Sequence, residues 1–191
     1  MKAQWRIVVV AIGALLGALP ESARLQMAAP KASDLFQTAK PGQWVELEGV
    51  VQKDFTVIAK KVKFLTGDFQ EDDWELKAAV RTIDRTNKQF NLLLIPIKVS
   101  AKTEYENAAG TFKQFEDLKI GMLVECEGTF LKDGCFAAEE VQEESDFKPE
   151  EPGELRAVGK IEKLDPRQHT VTVFGVKFKI IEATKIQSAL K

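Results

Sequence analysis

Lys40-Pro-Gly-Gln-Trp-Val-Glu-Leu-Glu-Gly49 and Lys119-Ile-Gly-Met-Leu-Val-Glu-Cys-Glu-Gly128 are one phrase written twice, 79 residues apart. The same offset carries Lys53-Asp54, Ala59 and Val62 onto Lys132-Asp133, Ala138 and Val141 without a gap, which marks an internal repeat. Within each phrase Val45 and Leu47, or Val124 and Cys126, alternate with glutamates, the period of a strand with one buried face. Gly49 and Gly128 mark a bend or bulge, and Lys132-Asp-Gly134 is a hairpin turn signal. A hairpin turning there sets Cys126 opposite Val141 and Lys132 opposite Cys135. The two sulfurs are then about 20 Å apart at ~3.3 Å per residue, beyond the reach of a disulfide, so both thiols are expected free.

A second unit repeats less strictly. Val80, Ile83, Asp84, Val99 and Thr103 correspond to Ile161, Leu164, Asp165, Ile180 and Thr184 at an offset of 81. The first copy reads as strands 76–83, 89–95 and 97–101, with a turn over 84–88. The second copy has its turn over 164–168 and strands over 170–173 and 176–180. Between the first three strands and the second hairpin, 112–118 predicts a short amphipathic helix.

Three strands, a short helix and two strands is the order of the oligonucleotide/oligosaccharide-binding (OB) barrel. The expected fold is therefore all-β: two small OB-like five-stranded barrels, each with a short helix between strands three and four. Residues 75–145 supply one barrel continuously. A helix and hairpin at the front and a three-strand unit at the back each lack what the other has, and unpaired edges are costly. The expectation is that 31–66 and 154–188 combine into a split barrel around the inserted one, with 67–74 and 146–153 as acidic linkers. The rival arrangement is two tandem domains, 31–107 and 110–191. Phe69, Trp74 and Phe147 in the linkers are expected to anchor onto a barrel.

Ile161-Glu-Lys-Leu-Asp165, Val171-Thr-Val-Phe-Gly-Val-Lys-Phe178, Ala183-Thr184, Phe115-Glu-Asp-Leu-Lys-Ile-Gly121, Val124-Glu-Cys-Glu-Gly128, Asp133-Gly134 and Ala138 resemble the bacterial family catalogued as domain of unknown function 5666. The resemblance covers most of 34–188 and rests on turn glycines and core positions. It implies an OB-like barrel, an exported protein and a binding role without a defined ligand.

At the N-terminus, Lys2 and Arg6 precede an apolar run from Ile7 to Leu19, the layout of a secretory signal over 1–23. The run has about 13 residues where a membrane-spanning helix needs roughly 20, so cleavage is expected over retention as an anchor. The whole chain has 27 basic and 29 acidic side chains; without Lys2, Arg6 and Glu21 these become 25 and 28, a formal charge of −3. Binding to nucleic acid requires a basic surplus and is not expected. The localisation expected is periplasmic or extracellular, with no stable membrane span after cleavage.

No catalytic constellation stands out. His169, the one histidine, falls in or beside a turn, Cys126 alternates with core valines, and no phosphate loop or dinucleotide fingerprint occurs. The chain is expected to be no enzyme and to need no cofactor or resident metal. Charge is more informative. If both hairpins share a register, Glu48 faces Lys61 and Glu46 faces Lys63, whereas Glu127 faces Glu140 and Glu125 faces Gln142. Like charges opposite one another destabilise unless a cation answers them. Glu125, Glu127 and Glu140 are therefore a candidate patch for a divalent cation or cationic partner; the plainer alternatives are a neighbouring Lys or Arg, or solvation. Trp44 lies on the polar register of its strand, either capping a barrel end under the helix or exposed on a binding face. The expected role is an exported, non-catalytic binding module for a protein, saccharide or small ligand; the alternative is a structural or assembly protein of the envelope.

Overall fold

The computed structural model describes residues 32–54, 56–70, 73–144 and 153–187. The expected signal at 1–23 lies outside them, as does most of the second linker, including Phe147. A short helix, α1 (Ala32–Thr38), leads into β1 (Trp44–Val51), β2 (Val57–Phe64), β3 (Trp74–Asp84), β4 (Gln89–Leu92), β5 (Ile95–Lys98) and β6 (Glu104–Glu106). The chain continues through β7 (Leu123–Phe130), β8 (Phe136–Glu143), β9 (Glu154–Lys160), β10 (Lys163–Asp165), β11 (Thr170–Val173), β12 (Val176–Lys179) and β13 (Lys185–Gln187). The protein is all-β in architecture, and no helix among the described residues is long and apolar enough to cross a membrane.

Five strands close on themselves: β3 pairs with β4, β4 with β5, β5 in parallel with β8, β8 with β7, and β7 with β3. Closure removes the unpaired edges a five-stranded sheet would otherwise expose. Period-two alternation fills the interior with Leu76, Ala78, Val80, Phe90, Leu92, Ile97, Val124, Cys126, Phe136 and Val141, all essentially inaccessible. Full burial of a large apolar side chain is worth about 1.5–3 kcal/mol. The register slips between Glu127 and Gly128, where φ is 153° and an added Cβ would lie 2.1 Å from the Ala137 carbonyl oxygen. Only glycine fits that bulge.

Three sequence expectations need correction here. The helix expected over 112–118 is a single 3-10 turn at Phe115–Asp117. Its apolar residues, Phe112, Phe115 and Leu118, recur every third position and are all buried, a spacing that suits three residues per turn better than 3.6. The strand expected over 89–95 ends at Leu92, because Leu93 takes a left-handed φ of 51° and turns the chain inside an apolar run that carries no Gly or Asn signal. The third strand is accordingly Ile95–Lys98, and a further strand, β6, pairs in parallel with β8.

The remaining strands continue outward from the closed barrel. β9 pairs with β3 on one side and with β1 on the other. From β1 the pairing runs through β2, in parallel to β12, then to β11 and β10, while β13 also lies along β2. Residues at the spacings noted in the sequence do the same work. His169 and Phe174 share the positive φ of Lys88 and Leu93. Asp165 accepts from the backbone of Arg167 and Gln168 as Asp84 does from Thr86 and Asn87. The β1–β2 register slips at Gly49 just as that of β7–β8 slips at Gly128.

Candidate functional site

The outward faces of the paired strands carry a ladder of charge. Glu46 and Glu48 of β1 face Lys63 and Lys61 of β2, the expected register. Lys61 Nζ lies 2.8 Å from Glu46 and 2.7 Å from Glu48, with Lys63 and Arg156 at 3.4 and 3.6 Å from Glu46. Burial alone would raise the Glu46 carboxyl, but the Lys61 hydrogen bond and the charges of Arg156, Lys61 and Lys63 outweigh it and hold it down at about 2.

On β7 and β8 the same places are acidic. Glu127 faces Glu140 and Glu125 faces Gln142, again in the expected register. The three glutamates of the candidate patch have different neighbours. Glu125 is drawn to Lys77, its direct neighbour on β3, whose ammonium also lies 3.2 Å from Glu144. Glu127 and Glu140 stay together on a cleft of about 530 Å³, whose other charged lining residues are Asp73, Lys102, Glu104 and Glu139.

Sequence reasoning missed β6. It adds Glu104 directly opposite Glu140 and sets Glu106 within hydrogen-bonding reach of the Glu140 carboxyl. Glu104-Tyr-Glu106 alternates like a strand, but three residues are too few for a periodicity to register. Burial, then the Glu106 hydrogen bond and the charges of Glu106, Glu127 and Glu104, push Glu140 up to about 7. Burial and the charges of Glu125 and Asp73 also push Glu127 up. Further along the ladder, burial and then Glu125 push Glu75 up to about 7. Among the described residues, no group of three or more His, Cys, Asp or Glu side chains is gathered so as to hold a metal ion.

Trp44 stacks on Phe69, 5.2 Å between centroids, meets Trp74 edge-on at 6.2 Å, and carries the Lys160 ammonium 5.4 Å over its ring. That places it, with Phe69 and Trp74, where β1, β9 and β3 adjoin. His169 is an exposed turn residue whose ring meets the edge of Phe36. Cys126 and Cys135 are both free, and complete burial pushes the Cys126 thiol well up, away from the reactive thiolate.

Residues 78–142 match the family model described as Domain of unknown function (DUF5666). The matched stretch runs from β3 into β8, a narrower span than the 34–188 over which the sequence resemblance extends. No curated protein and no solved structure matches the chain.

Proposed function

We propose that this chain, whose residues 78–142 match a family of unknown function, is an exported, non-catalytic binding module that receives a cationic organic group in the Glu127–Glu140 cleft. The observation that carries this reading is the Glu127–Glu140 pair, an exposed and a half-buried carboxylate directly opposed where the corresponding Glu48–Lys61 pair is complementary. A ligand ammonium or guanidinium would relieve the repulsion and recover charge-assisted hydrogen bonds.

The architecture behind the site is read as a duplication. The pairings β1–β9 and β2–β12 support a second, split barrel made from 31–66 and 154–188, with the continuous barrel inserted within it. The shared hydrogen bonds and positive-φ turns at offsets of 79 and 81 support an internal repeat in which one copy kept complementary charge and the other became acidic. Export is supported by the basic and apolar pattern of residues 1–19.

Calorimetric titration of the mature protein with spermidine and with a short Lys/Arg peptide at low salt tests the reading. Binding is expected to weaken steeply with added salt and to be lost in the Glu127→Gln/Glu140→Gln variant. Equal binding by that variant, or no heat with either probe, would remove the cleft from the proposal.

A further inference from the structure

The ring contact of Phe36 with His169, 5.8 Å between centroids, has a counterpart in Phe115, which lies under the Lys88 ammonium at 5.0 Å. The offsets of 79 and 81 relate the two pairs. They also relate β13, which lies along Lys61–Lys63 of β2, to β6, which lies along Glu140–Gln142 of β8. One corner of the fold therefore occurs twice, once beside α1 and once beside the 3-10 turn at Phe115–Asp117.

The two corners are filled differently. α1 packs against β13, and its Leu35 is buried in one core with Ile180 and Ile186. The residue corresponding to Leu35 is Gln114, which is exposed and precedes the 3-10 turn. Val99 and Tyr105, the counterparts of Ile180 and Ile186, are only half-buried. Where α1 supplies a leucine, the shorter turn leaves a cleft of about 470 Å³ walled by Val99, Tyr105 and Phe115. That is room for a small ligand. Tyr105 is braced edge-on by Phe112, 5.5 Å between centroids.

The rim of this cleft is charged. Lys88 and Glu116 pair with each other, and Lys88 is held over Phe115, which closes that side. Lys113, at an exposed position, brings a second ammonium. The lining thus has two lysines and one glutamate, a surplus of one positive charge. Glu104 lines the acidic cleft and Tyr105 lines this one, because neighbours on a strand point to opposite faces.

We propose that this cleft, separate from the Glu127–Glu140 site, binds a small carboxylic acid with an apolar body. The body lies on Val99, Tyr105 and Phe115, in the place that Leu35 fills in the other corner, and the carboxylate meets Lys113. Removal of the apolar part from water supplies the affinity, and the ammonium–carboxylate hydrogen bond selects the sign of the head group.

Tyr105 is the chain's one tyrosine and lines the cleft, so the fluorine resonance of mature protein labelled with 3-fluorotyrosine reports occupancy without background. Decanoate should move that resonance saturably, and octanoate should bind about tenfold more weakly, the worth of two methylenes. Octanamide, uncharged and of the same shape, should bind about tenfold more weakly than octanoate. Gln114→Leu, which puts the leucine of α1 into the cleft, should abolish binding with a urea midpoint no lower than that of the unsubstituted protein. Lys113→Glu, at an exposed position that folding does not depend on, should weaken decanoate about tenfold and decides the matter should the leucine disturb the fold. A resonance unmoved by decanoate, octanamide binding as well as octanoate, or full affinity retained in folded Gln114→Leu or in Lys113→Glu overturns the site.

Discussion

A Cβ placed on Gly159 would lie 2.9 Å from Cζ of Phe174, so the ring occupies the space any other residue at 159 would need. Phe174 sits in the β11–β12 turn with a left-handed φ of 54°. Its ring also meets Trp74, Phe130 and Phe136 at centroid distances of 5.6, 5.2 and 5.7 Å. A side chain from the outer strands is thereby seated among the aromatics at the end of the closed barrel, and Gly159 on β9 is the floor on which it rests. Phe174→Ala is expected to cost about 3–5 kcal/mol and Gly159→Ala about 1–3 kcal/mol. Urea unfolding followed by tryptophan fluorescence and by far-UV circular dichroism checks both values. The two probes should report a single coincident transition, since the wedge couples the two sets of strands.

Thr103 and Thr184 make one pattern twice. Each hydroxyl accepts a backbone N–H at 2.9 Å, from Ser100 and Ile181, and donates to a carbonyl at 2.8 Å, that of Ala138 and of Ala59. Both threonines are buried. Thr103→Val and Thr184→Val should each cost about 1–3 kcal/mol, because each removes the two hydrogen bonds of a buried hydroxyl to the backbone. Urea midpoints of the two variants should agree closely; a silent substitution at either position would show that the two threonines do not play equivalent parts.

Lys77 is the cation that keeps the middle of the ladder together. It is 7% exposed and bound to Glu125 and Glu144. Lys77→Met should destabilise the protein by about 2–4 kcal/mol, since the carboxylates would remain in place without it. Adding Glu125→Gln to Lys77→Met should recover part of that loss in chemical denaturation, where two independent losses would simply add.

Glu75 and Glu140 titrate near 7 in the folded protein, above their ordinary 4.5, so between these values the folded state binds protons that the unfolded state releases. Stability is therefore expected to fall as pH rises from about 4.5 to 7. Glu46 acts in the opposite sense: held at about 2 in the fold, it contributes above 4.5 and is lost as pH falls toward 2. Thermal unfolding across pH 3–9 should show a maximum near pH 5, a mildly acidic optimum. Glu75→Gln should raise the melting temperature at pH 8 and leave it nearly unchanged at pH 5. A melting temperature that climbs from pH 5 to pH 8 would contradict the raised carboxyls.

What the sequence determined by itself was the local, periodic part of the molecule. Alternation in Val45-Glu-Leu-Glu48 and Val124-Glu-Cys-Glu127 specifies strands and faces, because a side-chain period of two leaves one register that buries the apolar set. That was enough to pair Glu48 with Lys61 and Glu127 with Glu140. Tertiary structure alone decided which carboxylates would share a site. Lys77 lies far along the chain from Glu125 and reaches it only because β3 closes against β7, while Glu104 and Glu106 reach Glu140 through a parallel pairing that no hairpin rule encodes. The left-handed Leu93 and the rest that Gly159 offers Phe174 were equally hidden. A turn inside an apolar run, and a glycine kept empty for a distant ring, are set by what packs against them in space, whereas alternation is set by neighbours along the chain.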